Sequence, residues 1–289
     1  MILKTVLILA PGLIGASLGL ALKKYSSATR IHLWGRSEKN LRQAATLIGA
    51  DRASTNLSEV APEADTAVLC CPVEAMSALG KSLLPLLPQT AIVTDAGSVK
   101  TPVIEALEPI FGTRFIGAHP MAGSEQSGCQ AASADLFQSA RCLLTPTEKT
   151  SPEALKVAED LWTRVGAQVI PIDGKKHDAV VARISHLPHL AAAALVTAAT
   201  QNDQDSDRFA GSGYRDSTRI AAGPAEMWAG IVQANQKEIS LALRQYIEIL
   251  KDLAQNLQTT DSETLKNFLE NAAKNRQKLP QTHSSALED

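Results

Sequence analysis

The 289-residue chain has few aromatic side chains, little net charge and no pair of cysteines at CxxC spacing. Phe, Trp and Tyr make up 4% of it, so the core must be mostly aliphatic. There are 28 Lys and Arg against 30 Asp and Glu, a net charge of −2, so we expect no binding to nucleic acid or to an anionic membrane. The four cysteines favour reduced, buried thiols and a cytoplasmic location over a disulfide framework.

An uncharged stretch over residues 5–22 imitates a signal peptide or a membrane span. Neither of these needs the glycines at 12, 15 and 19 or the proline at 11, and Lys23 and Lys24 close the stretch without a small-residue cleavage site. A buried strand, a glycine turn and a helix would produce the same pattern. We therefore predict no membrane segment here.

Short apolar runs alternate with helical patterns as far as residue 172. The predicted strands are 6–10, 31–35, 66–71, 91–95, 115–118, 142–145 and 169–172. The predicted helices between them are roughly 13–25, 37–48, 73–84, 100–110 and 152–165, with Ser37 and Ser151 as N-caps. This alternation predicts an α/β fold with a Rossmann-like, doubly wound and mostly parallel sheet.

Beyond residue 172 the pattern is helical, over 176–202 and 225–276, with a Gly-, Ser- and Asp-rich segment between the two blocks. Side chains in the second block alternate in steps of four and three: Val232, Gln236, Ile239, Leu243, Tyr246, Leu250, Leu253 and Leu257. This predicts one long helix whose seam packs inside a helical domain or pairs two subunits, and we favour a homodimer. The predicted domains are 1–172, an all-helical domain at 173–279, and a flexible tail at 280–289.

Residues 6–18 read VLILAPGLIGASL, an apolar strand that runs through AxGxxG into an amphipathic helix. A dinucleotide fingerprint has glycine at three places, and Ala10 stands at the first of them, where the tight turn must accommodate a Cβ. We expect the diphosphate of a dinucleotide to bind the amides at the start of the helix. These belong to Gly12, Leu13, Ile14 and Gly15. The alternative is a strand and helix that are merely close-packed.

The second predicted strand ends in HLWGRS and lacks the carboxylate that NAD-binding folds usually place there for the ribose hydroxyls. Arg36 and Ser37 stand where a 2′-phosphate would lie, so we expect NADP in preference to NAD. Arg36 could equally be a solvated surface residue. Cys71 and Asp95, at the ends of later strands, complete the expected cofactor contacts.

Three further segments carry polar residues where a simple core would not. They are TDAGSVK at 94–100, GAHPMAGSEQSG at 117–128, and ISHLPHLAAAAL followed by SGYRDSTRIAAG. The first two follow predicted strands, whose open ends form the ligand crevice of such sheets, so Asp95, Ser98 and His119 should lie near a nicotinamide. His186 and His189 have no Cys or acidic partner at ligand spacing, so we predict no metal site.

In this order and spacing, these segments and the glycine fingerprint resemble the prephenate and arogenate dehydrogenase family of tyrosine biosynthesis over nearly the whole chain. The resemblance implies an N-terminal nucleotide-binding domain, a dimerising helical domain, and oxidative decarboxylation of a cyclohexadienol. His119 matches the catalytic histidine of the family, and Ser98 matches its hydrogen-bonding partner. The other matching active-site positions are Glu125, His189, Asp216, Arg219 and Trp228. Ala10 departs from the family's GxGxxG.

The implied substrate carries a carboxylate and a hydroxyl on opposite ring carbons, and loss of hydride and carbon dioxide makes the ring aromatic. A neutral imidazole suits the removal of the hydroxyl proton, and we assign this role to His119, oriented through Ser98. Arg219 is expected to bind a substrate carboxylate through its planar fork, held by Asp216, with Arg215 as a second candidate. We expect prephenate rather than arogenate to be the substrate.

Two other functions compete with this interpretation. A β-hydroxyacid or imine-reducing dehydrogenase shares the domain order, but the GxxGxGxxxKxxxN motif of the hydroxyacid enzymes is absent from the chain. A non-catalytic NADP-binding regulator would have damaged catalytic positions, whereas Ser98, His119 and Arg219 are all present. Taken singly, His119 could be structural, Glu125 a surface residue and Trp228 a core residue.

Overall fold

The computed structural model describes residues 3–124, 126–201, 206–258 and 262–278. It divides into two compact units, Met1–Ile239 and Ser240–Asp289. The first unit contains the sheet and the helices around it. The second contains most of the two last helices.

In the described part of the chain, eight strands form one sheet in the order β3-β2-β1-β4-β5-β6-β7-β8. Their bounds are β1 Thr5–Leu9, β2 Arg30–Trp34, β3 Arg52–Ser54, β4 Thr66–Leu69, β5 Ile92–Asp95, β6 Phe115–Pro120, β7 Arg141–Thr145 and β8 Gln168–Pro171. Neighbouring strands are parallel except for the antiparallel pair β6 and β7. The predicted doubly wound, mostly parallel sheet is confirmed. The prediction missed β3, because three largely exposed residues at a sheet edge show no hydrophobic period.

The helices after the strands are α1 Leu13–Tyr25, α2 Glu38–Ile48, α3 Leu57–Val60, α4 Val73–Leu83, α5 Thr101–Phe111, α6 Pro152–Arg164 and α7 Gly174–Val181. Both predicted N-caps are present. The Ser37 hydroxyl accepts a hydrogen bond from the Asn40 amide at 3.4 Å, and that of Ser151 accepts one from Ala154 at 3.1 Å. Each cap satisfies an amide that the first turn of its helix leaves unpaired.

Two apolar clusters cover the two faces of the sheet. Along β1, Val6 and Ile8 belong to one cluster and Leu7 and Leu9 to the other, because side chains of a strand alternate between faces. All four are fully buried, which explains why this strand is apolar throughout rather than alternating. The core is aliphatic, as the scarcity of aromatic residues predicts.

The remaining helices are α8 Leu187–Thr200, α9 Ser212–Thr218, α10 Ala225–Ala234, α11 Gln236–Gln258 and α12 Ser262–Gln277. The predicted helix at 176–202 is interrupted by a π-helical turn, Ala182–His186, in which the Leu187 amide bonds to the Ala182 carbonyl. Pro188 follows at once and has no amide hydrogen to continue the α-helical ladder, which accounts for the wider turn. The prediction also missed α9 in the polar segment.

The prediction of one long helix over 225–276 is wrong. Asn235 separates α10 from α11, with φ −116° and ψ 28°. Its buried side-chain amide donates to the Asp178 carbonyl at 2.9 Å and contacts His186 Nδ1 at 3.2 Å. These contacts pair the polar groups at the break. The predicted tail at 280–289 lies outside the described residues.

One described stretch, Gly174–Thr200, is long and apolar enough to cross a membrane, judged by length and composition alone. It comprises α7, the π turn and α8. Its histidines, His177, His186 and His189, are buried, as is Asp178. A core helix of a soluble protein passes the same test, so the stretch is weak evidence for a membrane.

The turn between β1 and α1 contains a strained residue. Ala10 has φ +63°, in the left-handed region that favours glycine, and its amide donates to the Trp34 carbonyl at 2.8 Å. Gly15 is needed for a different reason, because a Cβ there would lie 3.0 Å from Ile8 Cγ2 and 3.2 Å from Cys70 Cβ. The departure at Ala10 therefore costs backbone strain, while Gly15 permits the close approach of helix and sheet.

We predict that Ala10→Gly raises the free energy of unfolding by about 0.5–1 kcal/mol, because relief of a left-handed alanine outweighs the extra freedom of an unfolded glycine. The matched control is Ala45→Gly within α2, where glycine should lower it by about 0.5–1 kcal/mol. Urea denaturation of the three proteins measures both changes. A loss of stability in the Ala10 variant would contradict the strain.

Candidate functional site

The strand order of the sheet reverses between β1 and β4. The carboxyl ends of these parallel strands meet there, which is where such sheets bind ligands. The first turn of α1, which follows β1, has no acidic residue and no side-chain cap. Gly12 is exposed, with no atom within 4 Å of the place a Cβ would occupy. The Gly12 amide itself donates to the Ala10 carbonyl at 2.8 Å. The open space at Gly12 and the amides that follow it in the first turn of α1 fit the diphosphate of a dinucleotide.

Of the other predicted cofactor contacts, Arg36 and Ser37 are exposed just after β2, and the Ser37 hydroxyl caps α2. Cys71 is buried just after β4. Burial raises the pKa of the Cys71 thiol to about 12, and the positive charge of Arg36 opposes this rise. The thiol is therefore neutral at neutral pH.

Asp95 and Lys100 form an ion pair with both side chains 0% exposed. Lys100 Nζ donates to Asp95 Oδ2 and, at 2.7 Å, to the Ala118 carbonyl. The same carboxylate accepts the Gly97 amide at 2.8 Å and the Ala118 amide at 3.0 Å. These bonds hold the end of β5 to the residue before His119. Asp95 makes its hydrogen bonds inside the protein, and its contact with a cofactor stays a prediction.

His119 lies near the end of β6 and is 8% exposed. Its Nδ1 lies 2.8 Å from Nε2 of His177, and the two rings meet edge to face. His177 Nδ1 in turn lies 2.8 Å from Asp178 Oδ1. Sequence analysis missed this pair. The available signal was an adjacent His and Asp at the start of a helix that leads directly into the SHLPH segment.

The predicted hydrogen bond between Ser98 and His119 is not found in the described part of the chain. Ser98 is half-buried in the loop between β5 and α5. The Nδ1 atom of His119 contacts His177. An active-site role of Ser98 toward a ligand stays a prediction.

The Asp178 carboxylate holds the start of α5 as well as His177. Its Oδ1 accepts the Lys100 amide at 2.7 Å, and its Oδ2 accepts the Thr101 amide at 2.8 Å. A carboxylate at this end of a helix satisfies free amides and interacts favourably with the helix dipole. Asp178 therefore joins α5, α7 and, through its own carbonyl, Asn235.

Burial sets the protonation of the histidines. It holds the pKa of His119 well below its usual value, and the charges of His177 and Lys100 act in the same direction. Burial also lowers the pKa of His177, and it lowers that of His186 to about 4. Burial raises the pKa of Asp178. The hydrogen bonds from His177 and from the start of α5 outweigh this effect, so the pKa of Asp178 is lowered overall. At neutral pH the site holds neutral imidazoles and an ionised Asp178.

His189 and Trp228 form a second part of the site. Their rings stack at 3.6 Å between centroids with an interplanar angle of 11°, and His186 approaches Trp228 edge-on at 6.2 Å. Gly223 lies against the indole, since a Cβ there would come within 2.6 Å of its Nε1. His189 Nδ1 and His186 Nε2 are buried without a hydrogen-bond partner among the described residues.

The predicted cationic contacts lie on the surface next to α8. Arg215, Asp216 and Arg219 are exposed, on α9 and on the turn that follows it. That turn and α9 both pack against α8, which carries His189. Glu125 lies outside the described residues. Within those residues, no group of three His, Cys, Asp or Glu side chains is placed to hold a metal ion.

Comparison with known proteins gives consistent matches along the chain. A family model described as the nucleotide-binding domain of prephenate dehydrogenase matches residues 18–171, and one described as its dimerization domain matches residues 173–271. A cyclohexadienyl dehydrogenase from Zymomonas mobilis is 31% identical and covers 98% of each chain. A prephenate dehydrogenase from Bacillus subtilis is 32% identical over 98% of this chain and 78% of the relative.

Solved structures agree with these matches. Prephenate dehydrogenase from Aquifex aeolicus, in complex with hydroxyphenyl propionate and NAD+, has a TM-score of 0.90 at 30% identity, over 96% of this chain and 98% of that one. Arogenate dehydrogenase from Synechocystis has a TM-score of 0.81 at 30% identity, over 95% and 99% of the two chains.

We predict that Lys100→Met lowers the free energy of unfolding by about 3–5 kcal/mol, because it leaves the buried Asp95 carboxylate without its counter-charge. Arg42→Met is the matched control. It removes a cation from the exposed pair with Glu38 and should leave the denaturation midpoint nearly unchanged. Urea denaturation measures both. Equal effects of the two substitutions would contradict the structural role of the buried pair.

Proposed function

The chain belongs to the prephenate dehydrogenase family, and we propose that it converts prephenate to 4-hydroxyphenylpyruvate by NAD(P)-dependent oxidative decarboxylation. Membership makes it an NAD(P)-dependent dehydrogenase. The observation that carries the choice of reaction is His119, a neutral buried imidazole at the end of β6 with Nδ1 already occupied. Its other nitrogen, Nε2, has no partner among the described residues and is available to a substrate hydroxyl.

His119 acts as the proton acceptor of this reaction. The hydroxyl proton passes to Nε2, the carbon–oxygen bond becomes a carbonyl, and the hydrogen on the same carbon leaves with its electron pair. A nicotinamide cofactor bound at the start of α1 would supply the acceptor for that hydride. Cleavage of the bond to the ring carboxylate then releases carbon dioxide, and its electrons make the ring aromatic and turn the carbonyl into a phenolate oxygen. The proton held on His119 Nε2 returns to that oxygen and gives the phenol of the product. A neutral imidazole is suited to this work because it relieves the positive charge that develops at the hydroxyl.

The substrate side of the proposed site uses the surface around α8 and α9. We assign Arg219 to one substrate carboxylate, with Asp216 to hold it and Arg215 as the second cation. The stacked pair of His189 and Trp228 offers a flat wall for the substrate ring, and the unpaired His189 Nδ1 offers a polar contact. Glu125 and Ser98 remain in the proposed set on the strength of the family match.

The cofactor side uses backbone more than side chains. Gly12 and the amides of Leu13, Ile14 and Gly15 are proposed to hold the diphosphate, with Cys71 and Asp95 near the nicotinamide. Arg36 supports NADP over NAD, since it is exposed just after β2, where NAD-binding folds usually have a carboxylate. The Aquifex aeolicus structure contains NAD+, and an assay with both cofactors tests the NADP preference proposed for this chain.

A second copy of the chain is proposed as the protein partner. The C-terminal region matches a domain named for dimerization. The seam residues Leu250 and Leu257 are exposed, the latter at 61%, as are Leu195 of α8 and Phe268 of α12. Dimerisation would cover these apolar side chains. The four cysteines are free, which fits the proposed cytoplasmic location.

The assay that tests the proposal offers prephenate and arogenate, each with NADP and with NAD, to the purified protein and follows reduced nicotinamide by absorbance. Turnover of prephenate with NADP as the better cofactor is expected. Arogenate as the better substrate would favour the alternative that the Synechocystis neighbour represents. Turnover with none of the four pairs would contradict the proposed reaction.

We predict that His119→Asn lowers kcat by about a hundredfold or more while the Kd for NADP changes little, because it removes only the proton acceptor. In the wild type, kcat should stay level as the pH falls through about 6.5, since burial holds the pKa of His119 below that value. The control is His32→Asn, a buried histidine of β2 that contacts the Val60 carbonyl outside the site. Near-normal turnover by His119→Asn would remove this residue from the mechanism.

A further inference from the structure

The hydrogen bonds from His119 to His177 and from His177 to Asp178 have a fixed donor-to-acceptor direction, because the series ends at a carboxylate. Asp178 accepts two backbone amides at the start of α5 and is held ionised by its hydrogen bonds. An ionised carboxylate can only accept, so at 2.8 Å from it the Nδ1 of His177 must carry the hydrogen. The direction of the hydrogen bond between His177 and Asp178 therefore follows from the negative charge of the carboxylate.

The direction of the bond between His177 and Asp178 determines the direction of the bond between His119 and His177. A neutral imidazole has one N–H, so His177 with hydrogen on Nδ1 presents a lone pair at Nε2. The contact of this nitrogen with His119 Nδ1 at 2.8 Å requires one donor, and only His119 can supply it. Neutral His119 therefore carries its hydrogen on Nδ1 and a lone pair on Nε2. This is the tautomer that can accept a proton at Nε2.

A serine hydroxyl could not impose this choice, since it can donate to Nδ1 as readily as it accepts from it. His177, with its other nitrogen committed to Asp178, can only accept. When His119 takes up a proton at Nε2, its existing bond to His177 keeps the same direction. No hydrogen bond in the chain has to reorganise during the step.

We propose that His177 is a positioning residue that, oriented by Asp178, holds His119 in the tautomer with Nε2 unprotonated. The kinetic consequence rests on the proposed function, because it needs a substrate proton to be accepted. The tautomer itself is a property of the protein alone. The two parts can therefore be tested separately.

The tautomer is read by two-bond 1H–15N correlation of the histidine rings in the full-length protein at neutral pH, with the His119 signals assigned by their loss in His119→Asn. We expect the protonated nitrogen of His119 to be Nδ1 in the wild type. An Nε2–H tautomer there would overturn the proposal. This measurement needs neither substrate nor cofactor.

Two substitutions at the same position separate positioning from packing. In His177→Gln the side-chain carbonyl reaches about as far as the imidazole Nε2 and can still accept from His119. In His177→Asn the shorter amide can still donate to Asp178 but cannot reach His119. We expect the Asn variant to lose about tenfold to a hundredfold in kcat, less than loss of the base itself, with the Kd for NADP unchanged.

The Gln variant should keep most of the wild-type kcat and the Nδ1–H tautomer of His119. Equal losses of kcat in the two variants, or a larger loss in the Gln variant, would overturn the positioning role. If the wild type oxidises neither prephenate nor arogenate, the proposed function is wrong, and the ring spectra of the wild type and the Gln variant still decide the tautomer.

Discussion

The buried carboxylate of Asp178 is the group on which the geometry of the site depends most. It satisfies two amides at the start of α5, which follows the loop that carries Ser98. It also orients His177, and through it the ring of His119. Asn235, where the C-terminal helices break, donates to the carbonyl of the same residue. A buried charge needs several partners to be stable, and here those partners are the elements that have to be brought together. Burial of the Asp178 carboxylate is therefore stable only when the loop after β5, the helices α5 and α7, and the imidazole of His177 are brought together.

The two sides of the proposed site are built by different means. On the cofactor side, a turn with a left-handed Ala10, an uncapped helix start and open space at Gly12 offer backbone amides to an anion. On the substrate side, side chains predominate, with neutral buried histidines, a stacked indole and exposed arginines. The amides are proposed to hold the diphosphate, which is the same in NAD and NADP. Side chains are needed where a proton must move and a particular acid must be recognised.

Much of the nucleotide-binding side could be predicted from sequence because its signals are local. Hydrophobic runs, the AxGxxG spacing and the caps at Ser37 and Ser151 each depend on a few adjacent residues. The substrate side was predicted as a set of segments, and His177, which contacts His119 in the structure, was not among the predicted residues. Ser98 is near His119 in the family pattern, but the contact that the structure shows comes from His177, 58 residues away along the chain. The break at Asn235 was missed for a similar reason, since its polar side chain is paired by Asp178 and His186 from another helix.

The sequence by itself determined the alternation of strand and helix, the mostly parallel sheet, the glycine turn at its first strand and the family to which the chain belongs. These follow from periodicity and from short motifs, in which each residue acts on its neighbours. Only the tertiary structure decided the direction of the hydrogen bonds behind His119, the burial of the pair formed by Lys100 and Asp95, and the place where the C-terminal helices break. Each of these is a balance between burial and hydrogen bonding of groups far apart in the chain, and that balance exists only once packing has excluded water from around them.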